Sequence, residues 1–159
     1  MHLMSPAVDQ SADQSEETVV LDTFAKYVSA WRDADIHALS QIYANDQNLT
    51  AVWPDPGFSY PLIGWSAVSN SLADVFRRCR GMDLEYSNHI VKISGTTAVL
   101  TANWKWLDLV KPRKPEAAVP GNMARSFLLK GVGTFVFERR GPDWVLTHEH
   151  SAGVASARP

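Results

Sequence analysis

"GTFVFERRGPDWVLTHEHSAG", Gly133 to Gly153, holds two runs of alternating apolar residues on either side of Gly141-Pro142. Such a pair of runs around a two-residue turn reads as an antiparallel hairpin. Pairing Arg140 with Asp143 sets Phe137 opposite Leu146, Phe135 opposite His148 and Gly133 opposite His150. In that register the two histidines share a face with Trp144 and Leu146 and look toward the rest of the core. Glu149 then falls on the other face, near Thr134. Whether His148 and His150 are metal ligands, an acid/base pair or plain strand residues is the question on which function turns.

The chain around this hairpin supplies the other elements. Val20, Phe24, Tyr27 and Trp31 recur at helical spacing from Glu16 onward, and Asp35 suits the N-cap of a shorter second helix carrying Leu39, Ile42 and Tyr43. The proline-rich stretch from Asn48 to Trp65 predicts short edge strands and turns that frame an opening. Val68, Leu72, Val75 and Cys79 mark a third helix, stopped by Gly81. Everything beyond reads as strand. Met82, Leu84 and Tyr86 change phase to Val91 and Ile93, which predicts a bulge near Asn88 and His89. Ala98, Leu100, Ala102, Trp104 and Trp106 share one face of the next strand, and Lys111 to Asn122 is a surface loop. Helices first and long antiparallel strands after them predict an α+β fold, with three helices on one face of a strongly bent sheet. Residues 1–15 are polar and aperiodic and read as a disordered segment, 16–153 as one domain and 154–159 as a short tail.

Composition narrows the function classes. At 159 residues and 45% apolar content the chain closes one core. A net charge of −2 with mixed signs gives no footprint for nucleic acid. Cys79 is the only cysteine, so no intrachain disulfide forms and a reducing compartment is expected. No run reaches transmembrane length and no signal-peptide pattern opens the chain, so a cytoplasmic location without membrane attachment is expected.

His-x-His on a strand can offer two imidazoles to a metal, but no carboxylate follows in "SAGVASARP" and only His89 could be a third ligand. The structural reading of the histidines stands slightly ahead of a pocket role, and a metal site comes last; no metal is expected. Gly131-Val132-Gly133 lies inside a strand without a following helix, so it permits a bend or close packing and holds no dinucleotide. Six tryptophans exceed the needs of a small core, and aromatic walls suit a pocket for flat apolar molecules, a tryptophan-rich core or a dimer interface.

"FAKYVSAWRDAD", "IYANDQNLTAVWPD", "PLIGWSAV" and the terminal hairpin together resemble the NTF2-like superfamily, in particular its SnoaL-like and ketosteroid-isomerase-like bacterial members. The likeness spans about Glu16 to Gly153. It implies a conical barrel of bent sheet around three helices, a cavity at the wide end and a homodimer through the outer sheet face. The helix-1 tyrosine of the isomerases' oxyanion hole falls at Tyr27, whereas their aspartate base falls at Trp53, with Asp55 two residues later. The resemblance therefore implies a protein that binds a small hydrophobic, aromatic or polycyclic molecule, with no cofactor. If catalytic, it would isomerise, dehydrate, cyclise or cleave by proton transfer. In that reading His148 is the general base, Tyr27 a donor to developing oxygen charge and Asp55 a second acid/base group, while Trp31, Trp53, Trp104 and His150 contact the ligand. The tail also resembles the association module of calmodulin-dependent kinases, and the small subunits of ring-hydroxylating dioxygenases share the fold, so a non-catalytic assembly or ligand-binding module is the alternative.

Overall fold

The computed structural model describes residues 10–54, 61–110 and 126–155. Helix α1 covers Gln10–Arg32 and α2 covers Ile36–Ser40. Strands β1, Thr50–Val52, and β2, Leu62–Ile63, precede helix α3, Gly64–Arg78. Four long strands follow: β3, Cys79–Ser94; β4, Thr97–Val110; β5, Ser126–Arg140; and β6, Asp143–Ala155. They form one six-stranded sheet in the order β2-β1-β6-β5-β4-β3, antiparallel except where β1 runs parallel to β6. This is the expected α+β architecture, with α1 packed along β3.

The helices form where the apolar spacing places them. Val20, Phe24, Tyr27 and Trp31 are all buried on one face of α1. The helix begins at Gln10, earlier than Glu16, so the segment expected to lack structure up to residue 15 is helical in its last part. It ends with Ala34 in the left-handed region at φ 54, and the Asp35 N–H donates to the Ala30 carbonyl at 2.9 Å, which closes the last turn. Asp35 then caps α2, its carboxylate accepting from the Ala38 N–H at 2.9 Å. On α3, Val68, Leu72 and Val75 turn inward.

Of the register shifts in the sheet, which include one at the start of β3 between Cys79 and Met82, two bear on the site. On β3 the pairing with β4 shifts between Ser87 and Ile90, where Asn88 takes φ 55, at the place the phase change predicts. The second corrects the hairpin register. Arg140 faces Asp143 and Phe137 faces Leu146, but the next pair is Val136 with His148, so Thr147 is an extra residue on β6. Its hydroxyl donates to the Val136 carbonyl at 3.2 Å and fills the bulge. Beyond it the alternation inverts: Phe135 faces Glu149, Gly133 faces Ser151, and Glu149 rather than His148 is fully buried. The loop expected over Lys111 to Asn122 lies outside the described residues.

Candidate functional site

Four elements converge on Glu149. Tyr27 arrives from α1, Tyr43 from the segment after α2, and Trp53 from the residue following β1, while β6 supplies the carboxylate. Tyr43 is fixed by a parallel bridge to Leu146, flanked by hydrogen bonds from the Ala44 N–H to the Leu146 carbonyl at 2.9 Å and from the Leu146 N–H to the Ile42 carbonyl at 2.8 Å. The Tyr27 hydroxyl donates to Glu149 Oε2 at 2.6 Å, the Tyr43 hydroxyl donates to Oε1 at 2.7 Å, and the Trp53 indole N–H donates to the same Oε1. The carboxylate is thus held by three donors and reached by no solvent.

The electrostatics follow from this enclosure. Burial raises the Glu149 pKa, and the three donated hydrogen bonds from Tyr27, Trp53 and Tyr43 oppose the rise without cancelling it. Tyr27 and Tyr43 are pushed well above the ordinary phenol value, first by burial and then by the neighbouring Glu149 charge, so both stay neutral donors. Burial and the Glu149 charge likewise raise Tyr86.

A cavity of about 40 Å³ opens beside this cluster, with Tyr27, Trp31, Trp53, Tyr86, Trp104 and Ser151 among its lining residues. Its walls interlock. Trp31 meets Trp53 edge to face at 5.4 Å between ring centroids, and Phe76 packs against the same indole at 5.4 Å. Tyr27 and Trp53 therefore serve twice: each donates to Glu149, and each forms part of the cavity wall.

The structure thus brings together Tyr27, Trp31, Trp53 and Trp104 and separates His148 and His150 from them. His148 lies on the outer sheet face, where its Nδ1 is 2.6 Å from the Thr50 hydroxyl across the β1–β6 pair. Burial first, and the adjacent His150 second, lower its pKa and favour the neutral ring. His150 is exposed on the same face. The expected placement of both histidines in the cone is corrected by the bulge at Thr147. Asp55 lies outside the described residues. His89 stands at the β3 bulge with its ring 5.7 Å from Phe24, and among the described residues no three His, Cys, Asp or Glu side chains gather where a metal could sit. Among the described residues no helix is long and apolar enough to cross a membrane.

Glu149, Tyr43 and Tyr86 are the residues that sequence reasoning passed over. Tyr43 was legible as a core position of α2, but nothing in its spacing tells a packed ring from a hydrogen-bonded one. Glu149 was hidden because "THEH" is polar throughout, so hydropathy carries no information on which residue turns inward.

A model of the SnoaL-like domain family matches residues 20–156. Among curated proteins none matches the sequence. Solved structures similar to this chain include an NTF2-like superfamily protein from Salmonella enterica, 14% identical, covering 93% of this chain and 96% of that one at a TM-score of 0.72. A proposed dehydratase of the NTF2-like family from Streptomyces avermitilis is 19% identical, covering 90% and 99% at a TM-score of 0.74. A hexachlorocyclohexane dehydrochlorinase from Novosphingobium barchaimii is 14% identical, covering 91% and 92% at a TM-score of 0.68. At these identities the likeness is one of fold.

Proposed function

This chain belongs to the SnoaL-like family of domains, within the NTF2-like superfamily, and from the geometry of its cone we propose that it binds a small flat organic molecule between the aromatic walls and moves a proton on it. Glu149 is the net base, and Tyr27 is the group that touches the ligand. The observation that carries this reading is a solvent-free carboxylate one of whose hydroxyl donors, Tyr27 at 2.6 Å, is also a cavity wall.

The proton balance is simple. A ligand X–H bond breaks as its proton passes to the Tyr27 oxygen, while the original Tyr27 proton passes to Glu149 Oε2. Tyr27 ends neutral, Glu149 ends protonated and the negative charge resides on the ligand. A raised Glu149 pKa favours this transfer, because a carboxylate held nearer neutrality is a stronger proton acceptor than an exposed one. Loss of a leaving group from the carbanion completes an elimination, and return of the proton elsewhere completes an isomerisation. Two of the similar structures are named for eliminations, a dehydratase and a dehydrochlorinase, which supports the first outcome. The role once open to His148 passes to Glu149, since the imidazole stands on the other face.

At about 40 Å³ the cavity has room for only a few waters, so a ring-sized ligand enters by spreading the walls. A panel of flat aromatic compounds screened by thermal shift tests binding, because a ligand that prefers the folded state stabilises it by RT ln(1 + [L]/Kd). For compounds that bind, solvent deuterium exchange at acidic C–H positions reads proton transfer directly by NMR. Tyr27→Phe and Glu149→Gln should each slow exchange by roughly 10²–10⁴-fold while the compound still binds. Exchange unaffected by both changes removes the catalytic reading.

A second reading, a non-catalytic binding or assembly module, draws on a specific observation. The three donors on Glu149 leave it well satisfied, as a structural clamp across α1, β1 and β6 would be. The outer sheet face, with Ile90 58% and Val132 53% exposed, suits a homodimer in either reading.

A further inference from the structure

Resting on the cone as a ligand site, we propose that the Trp104 indole N–H is a specificity donor, and that the bound molecule carries an oxygen acceptor, a ketone or a phenol, at the end of its ring system remote from Glu149. Trp104 is 3% exposed, lines the cavity, and its indole nitrogen is buried with no acceptor within hydrogen-bonding distance among the described residues. Trp53 gives its N–H to Glu149, whereas the Trp31 indole nitrogen, like that of Trp104, is buried with no acceptor at hydrogen-bonding distance among the described residues. Trp31 lies at the Tyr27 and Trp53 end of the wall, next to the acceptor cluster, and Trp104 lies on β4 across from Gly131.

The position of this N–H is set by Gly153, with Gly131 bringing β5 and β6 together beneath it. Trp104 stands opposite Gly131, which stands opposite Gly153, in one row across β4, β5 and β6. A Cβ on Gly153 would sit 2.5 Å from Trp104 Cζ2 and 2.6 Å from Cη2, and a Cβ on Gly131 would sit 1.9 Å from the Ala152 carbonyl oxygen. The indole therefore lies across the sheet onto Gly153, and Nε1, two bonds from Cζ2, lies at the same end. The Gly-x-Gly stretch that resembles no nucleotide loop serves close packing: Gly131 lets β5 lie against the β6 backbone at Ala152 and Gly153, and Gly133 leaves room for the Phe135 ring. Along β6, beyond the bulge, Glu149, Ser151 and Gly153 share the inward face. At ~3.3 Å per residue Glu149 and Gly153 are about 13 Å apart, with Ser151 on the cavity wall between them. One wall thus has a proton acceptor at one end and an unanswered donor at the other.

An indole N–H donates and never accepts, so it discriminates by requiring an acceptor. Left buried without one, it carries a desolvation cost that a hydrocarbon ligand cannot recover and that a carbonyl or phenol oxygen can.

The test uses 1-tetralone and tetralin, the same fused rings with and without a ketone, titrated into the full chain carrying ¹⁵N-labelled tryptophan. Wild type should bind the ketone more tightly by roughly tenfold, and the Trp104 indole signal should move downfield with the ketone only. Trp104→Phe should abolish the preference, bringing the ratio of the two affinities to about one, whatever contact area both compounds lose with the smaller ring. A ketone preference that survives Trp104→Phe overturns the proposal, as does a wild type that binds both compounds equally. A Trp104 signal already downfield in the free protein and insensitive to the ketone means that water holds the donor, which also overturns it. If neither compound binds, the cone is no site for such rings and the functional reading falls with it. Should Trp104→Phe not fold, the wild-type indole shift decides alone.

Discussion

Ionising Glu149 puts a charge where no water reaches, and three donated hydrogen bonds do not fully compensate, so its pKa in the folded protein lies above the ordinary 4.5. A raised pKa means that the folded state holds the proton to higher pH than the unfolded chain does. Its contribution to stability is therefore complete below about pH 4.5 and is lost as pH rises through the folded value. Glu149→Gln keeps the shape and removes the titration. Relative to wild type its melting temperature should rise from pH 4.5 upward and level off once Glu149 is ionised in the folded protein, measured by calorimetry across that range. A melting difference constant with pH would mean that Glu149 does not titrate abnormally. Of the residues that matter at this scale, Tyr27, Trp31 and Trp104 were legible from the sequence, because helical spacing and strand alternation set which way a large apolar side chain points, and Trp53 was picked out by the excess of tryptophans and the family resemblance. Glu149 was not, because a single inserted residue, Thr147, decides the direction of every polar side chain after it.

At the level of elements the sequence speaks clearly wherever apolar residues keep a period and falls silent where they stop. The face of β4 from Ala98 to Trp106 and the phase change on β3 were both readable, since each is written in apolar residues that are buried or packed against the core. The β6 bulge is written in "THEH", where no apolar residue marks the slip. Nor does composition reveal how α1 ends. Ala34 takes φ 54 at the C-terminal position where glycine is the usual occupant, and its Cβ opposes that conformation. The residue is exposed, so replacing it disturbs no packing. Ala34→Gly should stabilise the protein by about 0.5–1 kcal/mol after allowing for the greater freedom of glycine in the unfolded chain, visible as a rise of roughly 1–4 °C in melting temperature. A fall would show that the turn between α1 and α2 is held by something other than this backbone conformation.

For the whole molecule, the bent sheet has an inner face committed to the cone and an outer face still to be accounted for. Its cross-strand rows follow from the registers: Ile90, Thr101, Thr134 and His150 in one, and Ser87, Asn103, Val132 and Ala152 in the next. Ile90 and Val132 are more than half exposed there, among threonines and small residues with few charges between them. A second copy meeting this face about a two-fold axis would set each patch against itself, so one substitution acts twice in the dimer. Val132→Lys places two like charges across such an axis in what would become a desolvated centre. Sedimentation equilibrium should then show a dimer for wild type and a monomer for Val132→Lys. Binding of aromatic compounds in the cone should persist, because Val132 points away from it and its neighbours Gly131 and Gly133 keep their inward packing. If the variant stays dimeric, the copies meet elsewhere. If it becomes monomeric and loses ligand binding as well, the outer face is part of what holds the cone in shape, and the two faces of the sheet cannot be treated as independent.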